Sequence, residues 1–69
     1  MGNTPLHMAV ASRSLSIVRV LEEYNGDATI QNKDGITAID IALTEEIKDV
    51  KLYLMSSPKY KHYEFGSAL

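Results

Sequence analysis

The stretch Gly2 to Val10, GNTPLHMAV, is spelled again with variation as Gly35 to Leu43, GITAIDIAL. Gly2 meets Gly35, Thr4 meets Thr37, Leu6 meets Ile39, Ala9 meets Ala42 and Val10 meets Leu43, each pair 33 positions apart. In a chain of 69 residues this duplication takes up most of the length. It restricts the fold to tandem copies of one supersecondary unit, because a unit that small buries its apolar face only against a neighbour.

Each copy reads as a pair of helices. Thr4-Pro5 is a helix start: the hydroxyl accepts from an orphan N–H, and proline fits the first helical position, where its missing donor is not needed. Leu6, Ala9 and Val10 follow at i, i+3, i+4, and after Ser12-Arg13-Ser14 come Leu15, Ile17, Val18, Val20 and Leu21, again at helical spacing. The first pair is predicted at about Pro5 to Ser12 and Leu15 to Tyr24, stopped by Asn25-Gly26-Asp27. Asn32 to Gly35 is a second turn signal.

The second copy has Thr37 as cap, Asp40 three residues on, a helix over about Ala38 to Leu43, and another carrying Ile47, Val50, Leu52, Tyr53 and Leu54. Ser56-Ser57-Pro58 ends it. The expected fold class is all-α, two antiparallel helix pairs joined by a hairpin-like loop. Residues 1–34 and 35–57 form the two repeats, and 58–69 a tail.

Composition narrows the function. With no cysteine there is neither a disulfide framework nor a thiolate metal site, and two histidines do not supply a structural zinc site. A net charge of −2 offers no positive footprint for a polyanion, so nucleic acid is excluded as a partner. No apolar run approaches the roughly 20 residues that span a bilayer, and no signal-type leader is evident. The chain reads as cytoplasmic or nuclear.

Catalytic readings fail on the same residues. Glu22-Glu23 and Glu45-Glu46 are adjacent carboxylates that point about 100° apart on a helix, and they are expected as solvated charge at helix ends. Ala28, Ile30 and Lys33 deny the Asp27 to Asp34 segment the alternating oxygens of a calcium loop. No phosphate-binding glycine loop or nucleophile elbow is present, and no cofactor is implied. The chain is read as a non-enzyme.

The 33-residue period, the run G-x-T-P-L-H-x-A at Gly2 to Ala9, the Ile17-Val18…Leu21 spacing and the Asp27 stop resemble the ankyrin repeat over residues 2–57. The resemblance implies a solenoid fragment in which His7 bonds between neighbouring repeats. It also implies three departures: Arg13 and Glu46 stand where the family prefers the glycine of its inter-helix turn, Asn25-Gly26 stands for Gly-Ala, and Glu22 and Lys51 replace apolar residues of the outer helices. Lys51, beside Lys48 and Asp49, suggests a last repeat with a polar outer face. The first repeat keeps an internal-type apolar set including Leu6, Ala9, Val18 and Leu21, some of which an earlier repeat would normally cover. Further repeats N-terminal to Met1, or self-association through an open N-terminal face, are therefore expected to complete the stack.

What the resemblance implies about function is recognition of a protein partner on the concave surface lined by hairpin tips and inner helices. By position that surface takes Asn3, Ala11 and Ser12 from the first repeat, Gln31, Asn32, Lys33, Asp34 and Ile36 from the central hairpin, and Thr44 and Glu45 from the second repeat. Asn32 and Asp34 have a competing task in the turn itself. The expected role is a scaffold or adaptor module; the alternative is a terminal structural or regulatory segment of a larger enzymatic or channel polypeptide. In the tail, some of the rings of Tyr60, Tyr63 and Phe65 are expected to fold back onto the last repeat, the alternative being a short adhesive motif with Lys59, Lys61 and His62, and Ser67-Ala68-Leu69 resembles a C-terminal ligand of strand-adding domains.

Overall fold

The computed structural model describes residues 2–63. Among the described residues four helices follow one another: α1 Pro5–Ala11, α2 Leu15–Glu23, α3 Ala38–Thr44 and α4 Lys48–Ser56, with a 3-10 turn at Pro58–Tyr60. No strand is present among the described residues. Helix α1 packs on α2 and α3 on α4 within each pair, while α1 stacks on α3 and α2 on α4 between pairs. The expected all-α pair of helix hairpins is what forms.

Local chemistry explains where the inner helices begin. Thr4 accepts from the backbone N–H of His7, and the His7 ring returns a bond to the Thr4 N–H, a reciprocal cap. Thr37 and Asp40 repeat the arrangement at α3, at 3.0 Å in both directions. The central loop closes where the Asn32 N–H donates to the Ile36 carbonyl and Gly35 adopts φ 76, a left-handed conformation for which glycine is suited.

At the end of α2 the division of labour between Asn25 and Gly26 differs from a glycine stop. Asn25 takes the left-handed conformation, φ 69. Gly26 is required for a close approach instead: its N–H donates to the Leu21 carbonyl at 2.8 Å, and a Cβ there would lie 2.7 Å from that oxygen. The alanine methyl that the family places here has no room.

Arg13 and Glu46, in the inter-helix turns, are left-handed at φ 60 and φ 53. For residues with a Cβ that conformation is strained by about 1 kcal/mol or more. Arg13→Gly and Glu46→Gly should each raise stability by roughly 0.5–1 kcal/mol, the strain relieved less the entropy that glycine adds to the unfolded chain. Urea denaturation is the check, with a higher midpoint expected at unchanged slope. The ion pair lost with Arg13, to Glu45 at 3.8 Å between exposed side chains, weighs little against this.

The core is a single cluster built from both pairs: Leu6, Ala9, Val10 and Val18 from the first, Ala28 from the loop, and Ala38, Ile39, Ala42, Ile47, Val50 and Leu54 from the second, closed by Tyr60. Leu21, expected as core, is only partly buried, and Ile17 and Val20 are exposed. The apolar stretch 15–21 is thus denser than what this stack covers.

Candidate protein-interaction surface

His7 ties the two repeats together. Its Nδ1 accepts from the Thr4 N–H at 3.0 Å, which leaves Nε2–H to donate to the Ile36 carbonyl at 2.7 Å. The ring is buried and both nitrogens are satisfied, so the residue is structural.

The hairpin tip beside it separates by task. Asn32 Oδ1 accepts from the N–H groups of Asp34 and Ile36, and its Nδ2 donates to Asn3 Oδ1 at 2.9 Å. Asn32 and Asn3 therefore hold the loop, whereas the Gln31, Lys33 and Asp34 side chains are exposed. Ile36 is 39% exposed although its backbone is pinned on both sides. Along α3, Ile36, Thr44 and Glu45 come together with Asp40 and Ile41 around a groove of about 320 Å³. Asp40 and Ile41 were not among the residues expected there. Their signal was available in the helical spacing, since Ile41, Thr44 and Glu45 stand at i, i+3, i+4. Gln31, Lys33 and Asp34 do not line this groove, nor do Ala11 and Ser12.

Ser12 belongs to a different feature. With Pro5, Met8, Ala9, Ser14, Ile17 and Leu21 it lines a hollow of about 430 Å³ on the N-terminal side of α1 and α2. A second hollow, of about 240 Å³, continues that side past Leu21 and Tyr24 to Ile30. The repeat period turns this exposure into a comparison: Pro5, Met8, Ile17 and Leu21 correspond to Ala38, Ile41, Val50 and Leu54. Of the latter, Ala38, Val50 and Leu54 are covered by the first helix pair and Ile41 is half-buried, while Met8 and Ile17 are exposed to 59% and 52%. Met8 and Ile17 are thus exposed on this side, while Leu6, Ala9 and Val18, from the apolar set that an earlier repeat was expected to cover in part, are already buried by the two pairs present.

Glu22 corrects the expectation of solvated acids. It is 7% exposed and faces the tail rather than water. Tyr60 Oη–H donates to its Oε2 at 2.5 Å, Lys59 Nζ approaches its Oε1 at 3.3 Å, and the Ala28 N–H donates to Tyr60 Oη at 2.9 Å. Lys59 also donates to the carbonyls of Glu22 and Gly26, at 3.2 and 2.7 Å. Burial, then the bond to Glu22, pushes the Tyr60 phenol well above the usual tyrosine range. Asp27 nearby accepts from the Thr29 hydroxyl and N–H, which hold its carboxyl below the usual carboxylate range. Tyr63 packs against the core with its Oη 3.5 Å from Thr37 Oγ1, so two of the three tail rings fold back. Phe65 and Ser67-Ala68-Leu69 lie outside the described residues.

Among the described residues no three His, Asp or Glu side chains converge as a metal site, and no helix is long and apolar enough to cross a membrane. What the fold defines is a helix-pair solenoid with an apolar end face. The family described as "Ankyrin repeats (many copies)" matches residues 2–42, and the chain belongs to it. The Notch-regulated ankyrin repeat-containing protein of Homo sapiens is 36% identical over 59 residues, covering 86% of this chain and 52% of that protein. Protein B of the same name from Danio rerio is 36% identical, with 86% and 53% covered. Alpha-latrotoxin-Lt1a of Latrodectus tredecimguttatus is 32% identical over 66 residues, 96% of this chain and 5% of the toxin. The chain spans about half the length of the Notch-regulated relatives it matches. No solved structure matches it significantly.

Proposed function

We propose that this chain is a non-catalytic protein-interaction module of the adaptor type, working in the cytoplasm or nucleus, whose N-terminal-side face is completed by a further ankyrin-type helix pair. The observation that carries the proposal is the contrast across the repeat period: Ile17 is 52% exposed where its counterpart Val50 is fully covered, and Leu21 is half-buried where Leu54 is covered. An apolar face of this kind is stabilised by burial at about 25 cal/mol per Å², and the cover that the helix pair at residues 5–23 gives the equivalent positions Ala38, Val50 and Leu54 supports a neighbour of the same kind. The names of the relatives describe ankyrin repeat-containing proteins, and such repeats generally serve protein–protein interaction. On this reading residues 1–34 and 35–57 are the repeats, and residues 58–69 are a tail whose first turn clasps them. Gln31, Lys33, Ile36, Thr44 and Glu45 form the part of the concave side available to a protein partner.

The match within a toxin of which it covers 5% favours a second reading, in which the same face packs on a preceding repeat of one longer polypeptide. Melting the chain over a hundredfold concentration range, with sedimentation alongside, tests the face itself. The thermal midpoint should rise with concentration as copies associate, because association stabilises by mass action. Ile17→Asp should abolish the rise. A monomer with a concentration-independent midpoint, unchanged when one ankyrin repeat is fused ahead of residue 2, would overturn both readings.

A further inference from the structure

The groove along α3 lies on another side of the stack from the end face, and its chemistry is more particular. Its apolar surface is Ile36 and Ile41, and Asp40, Thr44 and Glu45 complete the lining. Between Lys33 and Lys48 the chain carries Asp34, Asp40, Glu45 and Glu46 and no basic residue. A cation drawn to this rim comes from the neighbouring repeat: the Arg13 guanidinium lies 3.8 Å from Glu45 Oε1, with both side chains more than half exposed. That distance is an ion pair without a hydrogen bond, so Glu45 keeps its capacity to accept.

We propose, resting on the reading of this chain as a protein-interaction module, that this groove docks an extended segment of a partner protein in which a lysine or arginine stands next to an aliphatic residue. The aliphatic side chain packs on Ile36 and Ile41. The neighbouring cation reaches the Glu45 side, displacing Arg13 with a directly bonded geometry of the kind that makes arginine–carboxylate contacts strong. Asp40, whose carboxylate already caps α3 through the Thr37 N–H, adds negative potential that selects against acidic segments. A small groove with one apolar patch binds weakly by itself, since stable interfaces bury about 800 Å² per partner. Specificity is its contribution.

Two blocked peptides with Ser-Gly flanks serve as probes, one centred on Leu-Arg-Leu-Lys and one on Leu-Glu-Leu-Glu. In amide NMR titrations of the full chain, the basic peptide should shift Ile36, Ile41, Thr44 and Glu45 saturably, and the acidic peptide should not. Glu45→Lys should weaken the basic peptide about tenfold, in line with reversing a rim charge, and Ile36→Asp should abolish binding. Raising the salt should weaken it as well. Equal shifts with both peptides, shifts confined to Met8 and Ile17, or no shift along α3 would each overturn the proposal. Ile36→Asp chains should still associate through the end face, so failure of the groove and failure of the stacking reading give different results.

Discussion

Ile39→Ala should leave the chain largely unfolded at room temperature. The side chain is 1% exposed and sits where α3 meets the first pair, with its N–H donating to the Ala28 carbonyl. Removing three buried carbons from such a site costs about 2–5 kcal/mol, against a total of roughly 3–10 kcal/mol for a chain of this length. Two repeats offer little room to collapse around the void, because the same cluster forms the whole core. Leu21→Ala, at the half-covered edge of the open face, should cost clearly less, and Lys33→Ala should stay within about 0.5 kcal/mol. Circular dichroism under urea ranks the three, and an Ile39→Ala chain as stable as Lys33→Ala would contradict the assignment of the core.

Tyr60→Phe should cost about 2–4 kcal/mol, well beyond the loss of one hydroxyl. The substitution strips the buried Glu22 carboxylate of its phenol donor and the Ala28 N–H of its acceptor, and stranded buried groups, charged ones above all, are what makes such changes expensive. Met55 stands at the position equivalent to Glu22 in the second repeat, so Glu22→Met tests the same point from the other side. The double variant Glu22→Met/Tyr60→Phe should be more stable than Tyr60→Phe alone, with a coupling energy of about 1–3 kcal/mol. Additive losses would show that the bond carries no energy.

Alkaline pH tests the clasp without mutation. The folded-state pKa of Tyr60 is raised above its ordinary value near 10.0, so the folded state holds this proton more tightly than the unfolded one. The resulting stability is complete below about pH 10 and is lost as pH rises toward the folded value. The native chain should therefore show a falling midpoint above pH 10 in denaturant series, and Tyr60→Phe a flatter profile there.

Much of the architecture was legible in the order of residues. Thr4-Pro5, Thr37 with Asp40, and Ser56-Ser57-Pro58 are local devices whose effect depends on neighbours three or four positions away, and each inner helix begins at the residue they indicate, Pro5 and Ala38. The 33-residue period likewise carries the pairing of helices, because equivalent apolar positions have to meet equivalent surroundings. The groove was half legible. Ile36, Thr44 and Glu45 were expected by position on a partner surface and do line this groove, while Asp40 was named only as a cap and Ile41 was not singled out.

What sequence alone determined, then, is the repeat, its helices and the family. Which apolar residues are inside was decided by the number of helix pairs available to cover them: Val18 is buried and Ile17 is not, although both belong to the same amphipathic stretch and differ only in which neighbour they face. The fate of Glu22 was also a tertiary decision. Its pairing with Tyr60 and Lys59 spans 38 and 37 residues, a distance over which no periodicity or cap signal operates, and a buried carboxylate becomes tolerable only once a donor from that far along the chain has been folded onto it.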